Sequence, residues 1–267
     1  MIESTDNAKV KYIIRLRDKA RERRKENCFI AEGRRMVRET PMPLLKEVLI
    51  SESYMADPEK KKEAETYFKN NIITVSDKVM EKMSGTDTPQ GIMAVVKIPT
   101  YDLNDIINKQ NKNGDSIIIC LENIQDPGNL GTIFRTAEAA GVSGIVMTKD
   151  SADLFSPKVV RSTMGSLYRM PFFIADDLPA ALADMKAEGV SLYAAHLKGK
   201  TDHFHEEYKG KIALLIGNEG NGLSEESTAL CDKLLRIPMA GKTESLNAAM
   251  AAGILMYTAY SRREERL

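Results

Sequence analysis

Lys211-Ile-Ala-Leu-Leu-Ile-Gly-Asn-Glu-Gly-Asn-Gly-Leu-Ser224 is the stretch from which the fold is read. Residues 212–216 form a short unbroken apolar run that ends at glycine, the pattern of a buried strand in a parallel sheet covered on both faces. Gly217, Gly220 and Gly222 then mark a bend where backbone can approach a ligand with no Cβ in the way. The order Gly-x-x-Gly-x-Gly is not the dinucleotide fingerprint Gly-x-Gly-x-x-Gly, and by itself it fits a plain turn as well as a cofactor loop. Downstream, Arg236-Ile-Pro-Met-Ala-Gly-Lys-Thr-Glu-Ser-Leu-Asn247 leads into an Ala/Met-rich helix over 248–262.

Outward from this stretch, a second apolar run at 117–121 precedes Asn123-Ile-Gln-Asp-Pro-Gly-Asn-Leu-Gly-Thr-Ile-Phe-Arg135, which opens an alanine-rich helix. Strand candidates at 116–120, 144–147, 170–174, 191–195, 212–216 and 234–237 alternate with helical stretches, so a parallel sheet is expected. Pattern alone reads as Rossmann-like. A dinucleotide dehydrogenase, however, requires the fingerprint after an early strand and an acid about 20 residues on, and neither is evident.

Taken together, the three segments resemble the three motifs of the SpoU/TrmH family of SPOUT RNA 2′-O-ribose methyltransferases, in sequence, order and spacing, over about residues 115 to 262. The resemblance implies an α/β fold: a trefoil-knotted SPOUT methyltransferase domain, with a parallel sheet flanked by helices, preceded by a small α/β substrate-binding domain. The knot rests on family likeness and not on periodicity, since true knots are nearly absent from proteins. S-adenosyl-L-methionine is the implied co-substrate, with no metal; RNA is the implied partner, ribosomal RNA ahead of tRNA. A homodimer through the last helix and the first-motif helix is implied as well.

The same likeness assigns Asn129, Arg135, Glu219, Ser245 and Asn247 to the active site, and Gly217, Ile237, Met239 and Leu246 to the cofactor. His196, following the strand at 191–195, is expected to border the cofactor too. Pro127-Gly128-Asn129 reads as a turn at the N-terminus of a helix from about residue 130 to 140, where free amides favour an anion. The alternatives are a helix-surface ion pair for Arg135 and a solvent-facing loop acid for Glu219. An arginine stays protonated at ordinary pH, which makes it a poor general base; its expected role is to grip a phosphate or the developing alkoxide. Ser245 suits a helix N-cap whose hydroxyl meets the amide of residue 247 or 248, a role compatible with facing the ligand.

Charge balances over the whole chain, with 38 basic and 38 acidic residues, but residues 1–40 hold twelve Lys/Arg against seven Asp/Glu. A basic helix is expected over residues 10–25. Arg23 and Arg24 within it are read as RNA contacts or as part of a solvated face. Strands at 46–50, 72–75 and 92–96 and a helix at 58–69 complete a small α/β unit. Its Glu32-Gly33 followed by a basic helix resembles the family's ribosomal-protein-like substrate-binding domain, which makes Arg34, Arg35 and Arg38 the leading RNA contacts. The expected division is a substrate-binding domain at 1–98, a linker at 99–114 and a catalytic domain at 115–267. Phe155-Ser-Pro-Lys-Val-Val-Arg161 also resembles the family; Lys158 and Arg161 are read as RNA contacts or helix-surface charges.

Cys28, Cys120 and Cys231 show no Cys-x-x-Cys spacing and no cluster with histidine, so neither a disulfide framework nor a zinc site is indicated. With no export signal and no run of about 18 apolar residues, a cytoplasmic protein with no membrane partner is expected. A non-catalytic RNA-binding protein of the same fold remains the alternative of a different class.

Overall fold

The computed structural model of the chain describes residues 1–111 and 114–264. The expected linker at 99–114 and the expected domain end at 267 thus run partly outside the described residues. Two compact units emerge: Met1–Pro99 with Asp153–Tyr168, and Thr100–Ala152 with Arg169–Leu267.

The first unit opens with α1 (Ala8–Asp18), whose N-cap Asn7 accepts from the Lys9 amide. Val10, Ile13 and Leu16 recur at helical spacing and are buried. The single basic helix expected over 10–25 is instead two, because Lys19 is extended and separates α1 from α2 (Ala20–Glu26). Then come β1 (Cys28–Glu32), α3 (Arg34–Arg38), β2 (Leu45–Ser51), α4 (Glu52–Ala56), α5 (Pro58–Phe68), β3 (Ile72–Val75), α6 (Asp77–Met83) and β4 (Ile92–Lys97). The four strands form one sheet in the order β1-β4-β2-β3, with β4 antiparallel to both neighbours. Side chains of α1 and α6 bury against Cys28, Ile30, Leu49, Met93 and Val95.

In the second unit the stretch expected as a linker forms α7 (Leu103–Ile107), and Ile106 and Ile107 sit in that unit's core. It continues through β5 (Ser116–Leu121), α8 (Pro127–Ala139) and β6 (Gly144–Thr148). The chain then returns to the first unit, where Phe155 packs on Phe29 of β1 with ring centroids 5.2 Å apart, just before α9 (Pro157–Ser162).

Beyond it lie β7 (Phe172–Ala175), α10 (Leu178–Ala187), β8 (Ser191–Ala195), β9 (Thr201–Asp202), β10 (Lys211–Ile216), α11 (Glu225–Leu230), β11 (Lys233–Arg236) and α12 (Ala248–Glu264). Strand β9 is too short to leave a periodic trace in the sequence. The sheet runs β7-β6-β5-β10-β8-β11-β9, and every pairing in it is parallel. This is the expected parallel sheet flanked by helices. Strand β10 lies between β5 and β8, and Ile212–Ile216 is buried throughout. Parallel strands send their C-terminal ends to one edge, so the loops after β5, β8, β10 and β11 share that edge, where ligands of such sheets bind. No helix among the described residues is long and apolar enough to cross a membrane.

Candidate active site

The loop after β10 is closed by backbone. Asn218 and Gly222 exchange both amide hydrogen bonds, at 2.9 and 3.0 Å. The Asn218 side chain accepts from the Gly220 and Asn221 amides and donates to the Asn123 carbonyl at 2.8 Å, tying this loop to the one after β5. A Cβ at position 217 would lie 2.2 Å from the Gly222 carbonyl carbon, so only glycine fits there. Gly222 itself has φ +71°, the left-handed region that favours glycine.

That closure presents Glu219 to the start of α8. Its carboxylate accepts from the Gln125 amide at 3.1 Å, the Asp126 amide at 3.2 Å and the Asn129 side-chain amide at 3.0 Å. Partial burial pushes the Glu219 carboxyl up, but the bonds from Asn129 and from the two amides outweigh it and the net direction is down. A negative charge held at a helix N-terminus is also favoured by the aligned peptide dipoles. Helix α8 begins earlier than expected: Pro127 is its first residue and the Asp126 side chain caps it by accepting from the Asn129 amide.

Asn129 continues the chain of bonds. Its Oδ1 accepts from the Asn247 side-chain amide at 2.9 Å. The Oδ1 of Asn247 in turn accepts from the Ala249 and Met250 amides, at 2.9 and 3.2 Å. Asn247 therefore caps α12, the role expected of Ser245, which is exposed instead. The reason is reach: a side chain next to the first helical residue covers the amides two and three places on, and Ser245 sits too far back.

A cavity of about 410 Å³ opens beside this network, within the second unit. All five residues expected at the cofactor line it: His196, Gly217, Ile237, Met239 and Leu246. Glu219 and Ser245 line it as well. His196 fixes the loop after β8, its Nδ1 accepting from the Lys198 amide and its own amide donating to the Leu235 carbonyl. Leu197, Lys198, Leu223 and Leu235 also line the cavity and were not foreseen. Leu197, Lys198 and Leu235 sit at or near a strand end, and Leu223 directly follows the glycine turn, which is their only trace in the sequence. Asn218 was missed too, although an asparagine among loop glycines is itself a turn signal.

Asn129 and Asn247 join the cavity through Glu219 and the α12 start and do not line it. Arg135 does not line it either. It lies six residues beyond Asn129, about 120° around α8. It is exposed and has no hydrogen-bond or ion-pair partner among the described residues, so the alternative of a surface ion pair is not realised.

The arginines read as RNA contacts belong to the first unit. Arg34, Arg35 and Arg38 are exposed along α3, where Arg34 and Arg38 meet Glu63 and Arg35 meets Glu39. Arg24 is exposed. Arg23 corrects the expectation: it is 4% exposed, donating to Asp153 and to the Leu16 and Arg17 carbonyls. A guanidinium enclosed in this way holds α2 in place and offers nothing to a partner. Arg161 is likewise turned to its own unit, its Nη1 3.8 Å from the buried Glu32 carboxylate.

Comparison with known proteins identifies the family. The SpoU rRNA Methylase family model matches residues 116–257, and that of the MRM3-like substrate binding domain matches residues 7–94. The chain is 33% identical over 258 residues to the 23S rRNA (guanosine(2553)-2'-O)-methyltransferase RlmP of Bacillus subtilis, covering 96% of this chain and 97% of that one. The AdoMet complex of the SpoU methyltransferase AviRb from Streptomyces viridochromogenes superposes with a TM-score of 0.84 at 28% identity, over 97% of this chain and 98% of that one. An AdoMet-bound rRNA methyltransferase from Sinorhizobium meliloti gives a TM-score of 0.83 at 31% identity, over 100% and 98%. With its three motifs gathered at one sheet edge and its whole length matched, the chain belongs to the SpoU rRNA methylase family.

Proposed function

We propose that this protein transfers a methyl group from S-adenosylmethionine to a ribose 2′-hydroxyl of ribosomal RNA, acting as a cytoplasmic homodimer. The observation that carries the reading is the continuous set of bonds from Glu219 through Asn129 to Asn247, one residue from each motif. Ribosomal RNA is favoured over tRNA by the full-length likeness to an enzyme named for 23S rRNA and by the substrate-binding domain at 7–94.

The cavity fits the methyl donor chemically. Ile237, Met239 and Leu246 offer apolar walls for an adenine ring, and the glycine turn at 217–222 brings backbone close enough to meet its polar edges. When bound, S-adenosylmethionine supplies a methyl group already activated on a positively charged sulfur. The protein's part is alignment and electrostatics. Glu219, kept ionised by its three donors, orients Asn129 and places a negative charge beside the cavity. Asn129 and Asn247 fix the two helix starts against each other. Arg135, exposed and without a partner among the described residues, grips a phosphate or the developing alkoxide of the RNA, and a phosphate oxygen or water takes the proton.

Because Arg135 does not line the cavity of its own chain, we assign it to RNA bound across two subunits. Support for the dimer comes from α12, which packs on α8 and leaves Met250, Tyr257 and Tyr260 exposed. The trefoil threading is part of the same reading. The test is transfer of tritiated methyl groups from S-adenosylmethionine to ribosomal RNA from cells lacking this protein, followed by mapping of the modified ribose. Absence of incorporation into ribosomal RNA, with incorporation into tRNA, overturns the substrate assignment.

A further inference from the structure

The first unit contains a cavity of about 620 Å³ that methyl transfer does not use. It lies between Arg34 at the start of α3 and the Gln90-Gly91 turn that leads into β4. Buried Tyr54 and Met80 give it apolar surface, while Ser53, Asp77 and Gln90 contribute polar groups. The Gln90 Oε1 accepts from the Arg34 amide at 2.8 Å, which orients the carboxamide and leaves its Nε2 without a partner among the described residues. Ser53 donates to Asp77 Oδ1 at 2.6 Å, and the carboxylate retains further acceptor positions.

Charge at this cavity cancels: Arg34 and Lys60 stand against Asp77 and Glu81. A phosphate inside it gains little, whereas a neutral planar group carrying both donors and acceptors finds complements for each. A second concavity, bordered by Arg34, Arg35, Arg38, Glu39 and Gln90, shares Arg34 and Gln90 with the first. The three arginines are about half exposed even while paired with carboxylates, at 49%, 60% and 55% for Arg34, Arg35 and Arg38. Arg35 and Glu39 form a weak surface pair, while Arg34 and Arg38 share the largely buried Glu63 and keep their outer N–H groups open to phosphates.

Resting on the reading of the chain as an RNA methyltransferase, we infer that this cavity receives one unpaired nucleobase of the substrate RNA while the adjoining phosphates cross Arg34, Arg35 and Arg38. Proteins read RNA sequence chiefly through such splayed-out bases, by stacking and by hydrogen bonds to their edges. An N–H donor directed to Asp77 and a carbonyl directed to Gln90 Nε2 satisfy the polar groups present. Guanine, cytosine and uracil carry both. Adenine has no carbonyl and is disfavoured.

The experiment is amide NMR of the full chain, with S-adenosylhomocysteine filling the cavity of the second unit, titrated with GMP, CMP, UMP, AMP and inorganic phosphate. At least one of the first three should shift the amides of Ser53, Tyr54 and Gly91 with an affinity about threefold or more above that of AMP, and Gln90→Ala should weaken it about threefold. Inorganic phosphate should move only the α3 amides. In methyl transfer to ribosomal RNA transcribed in vitro, Gln90→Ala should raise the KM for RNA about fivefold while kcat and the KM for S-adenosylmethionine stay within about twofold. Ser53→Ala, which removes a hydroxyl from an exposed position, serves as the second variant. Nucleotides that perturb the cavity no more than phosphate does, or an unchanged RNA KM in both variants while the wild type methylates, overturn the assignment. A wild type that binds nucleotides here but leaves ribosomal RNA unmethylated overturns the ribosomal substrate and leaves this cavity assigned.

Discussion

The side-chain amide of Asn247 donates to Oδ1 of Asn129 at 2.9 Å across 118 residues of chain, while its own Oδ1 caps α12. One side chain thus does two separable jobs. Asn247→Ala removes both and should lower stability by about 1 kcal/mol through the lost cap, or roughly 2–4 °C in Tm. Asn247→Asp keeps the capping acceptor and loses the donor to Asn129. It should melt near the wild type, yet methylate roughly tenfold more slowly, as expected for one lost positioning bond. Thermal melts beside tritium-transfer rates separate the two; full activity in the aspartate variant shows that the Asn129 contact has no positioning role.

Arg135 stands exposed, with no hydrogen-bond or ion-pair partner among the described residues. Replacement by Ala should therefore leave stability within about 0.5 kcal/mol. Turnover should fall by about 10² to 10³-fold or more, the scale of a lost group that stabilises developing charge. Replacement by Lys should fail similarly, since the planar fork is lost. Calorimetry with S-adenosylmethionine should give near-unchanged affinity. Wild-type rates in either variant refute the role.

The carboxyl of Glu219 is held below its ordinary range by Asn129 and two amides, despite partial burial acting the other way. A lowered folded pKa means stability that is present above the unfolded value of about 4.3 and is lost as pH falls through the folded one. The Tm gap between the wild type and Glu219→Gln should accordingly be flat above about pH 5 and narrow as the pH falls below about 4. Melting curves across that range check it; a gap that widens on acidification contradicts the bonding described.

Arg23 and Arg24 are neighbours with opposite duties. Arg23→Ala leaves Asp153 and two carbonyls without their donor and should destabilise the protein by about 2–4 kcal/mol. Arg24→Ala should leave Tm unchanged. Any loss of RNA affinity it causes should shrink as salt is raised, as expected of a phosphate contact. Denaturant melts and filter binding at two salt concentrations distinguish them.

Much of the architecture was legible from local pattern. Apolar runs at 117–121 and 212–216 are β5 and β10, and the motif glycines mark the turns drawn from them. Such features depend on neighbours in sequence, through burial periodicity and backbone freedom. Cap identities were less legible: Asp126 and Asn247 cap α8 and α12, where residue types alone made Ser245 equally suitable. The return of Asp153–Tyr168 to the first unit left no mark, because its Phe155 and Tyr168 look like any core residues until Phe29 is found beside them.

What the sequence by itself determined is the kind of chemistry, through three motifs whose asparagines, arginine, glutamate and glycines resemble those of a family that aligns a methyl donor with a sugar hydroxyl. What only the tertiary structure decided is which of those side chains meet. Glu219 reaches Asn129 and Asn129 reaches Asn247 because β5 and β10 are paired in register, and because α12 packs on α8. Arg23 turns inward because Asp153 and the Leu16 and Arg17 carbonyls accept from its guanidinium, whereas Arg135 is exposed on α8. Hydrogen bonds act over about 3 Å, and a linear chain holds no record of which distant groups folding will bring within that range.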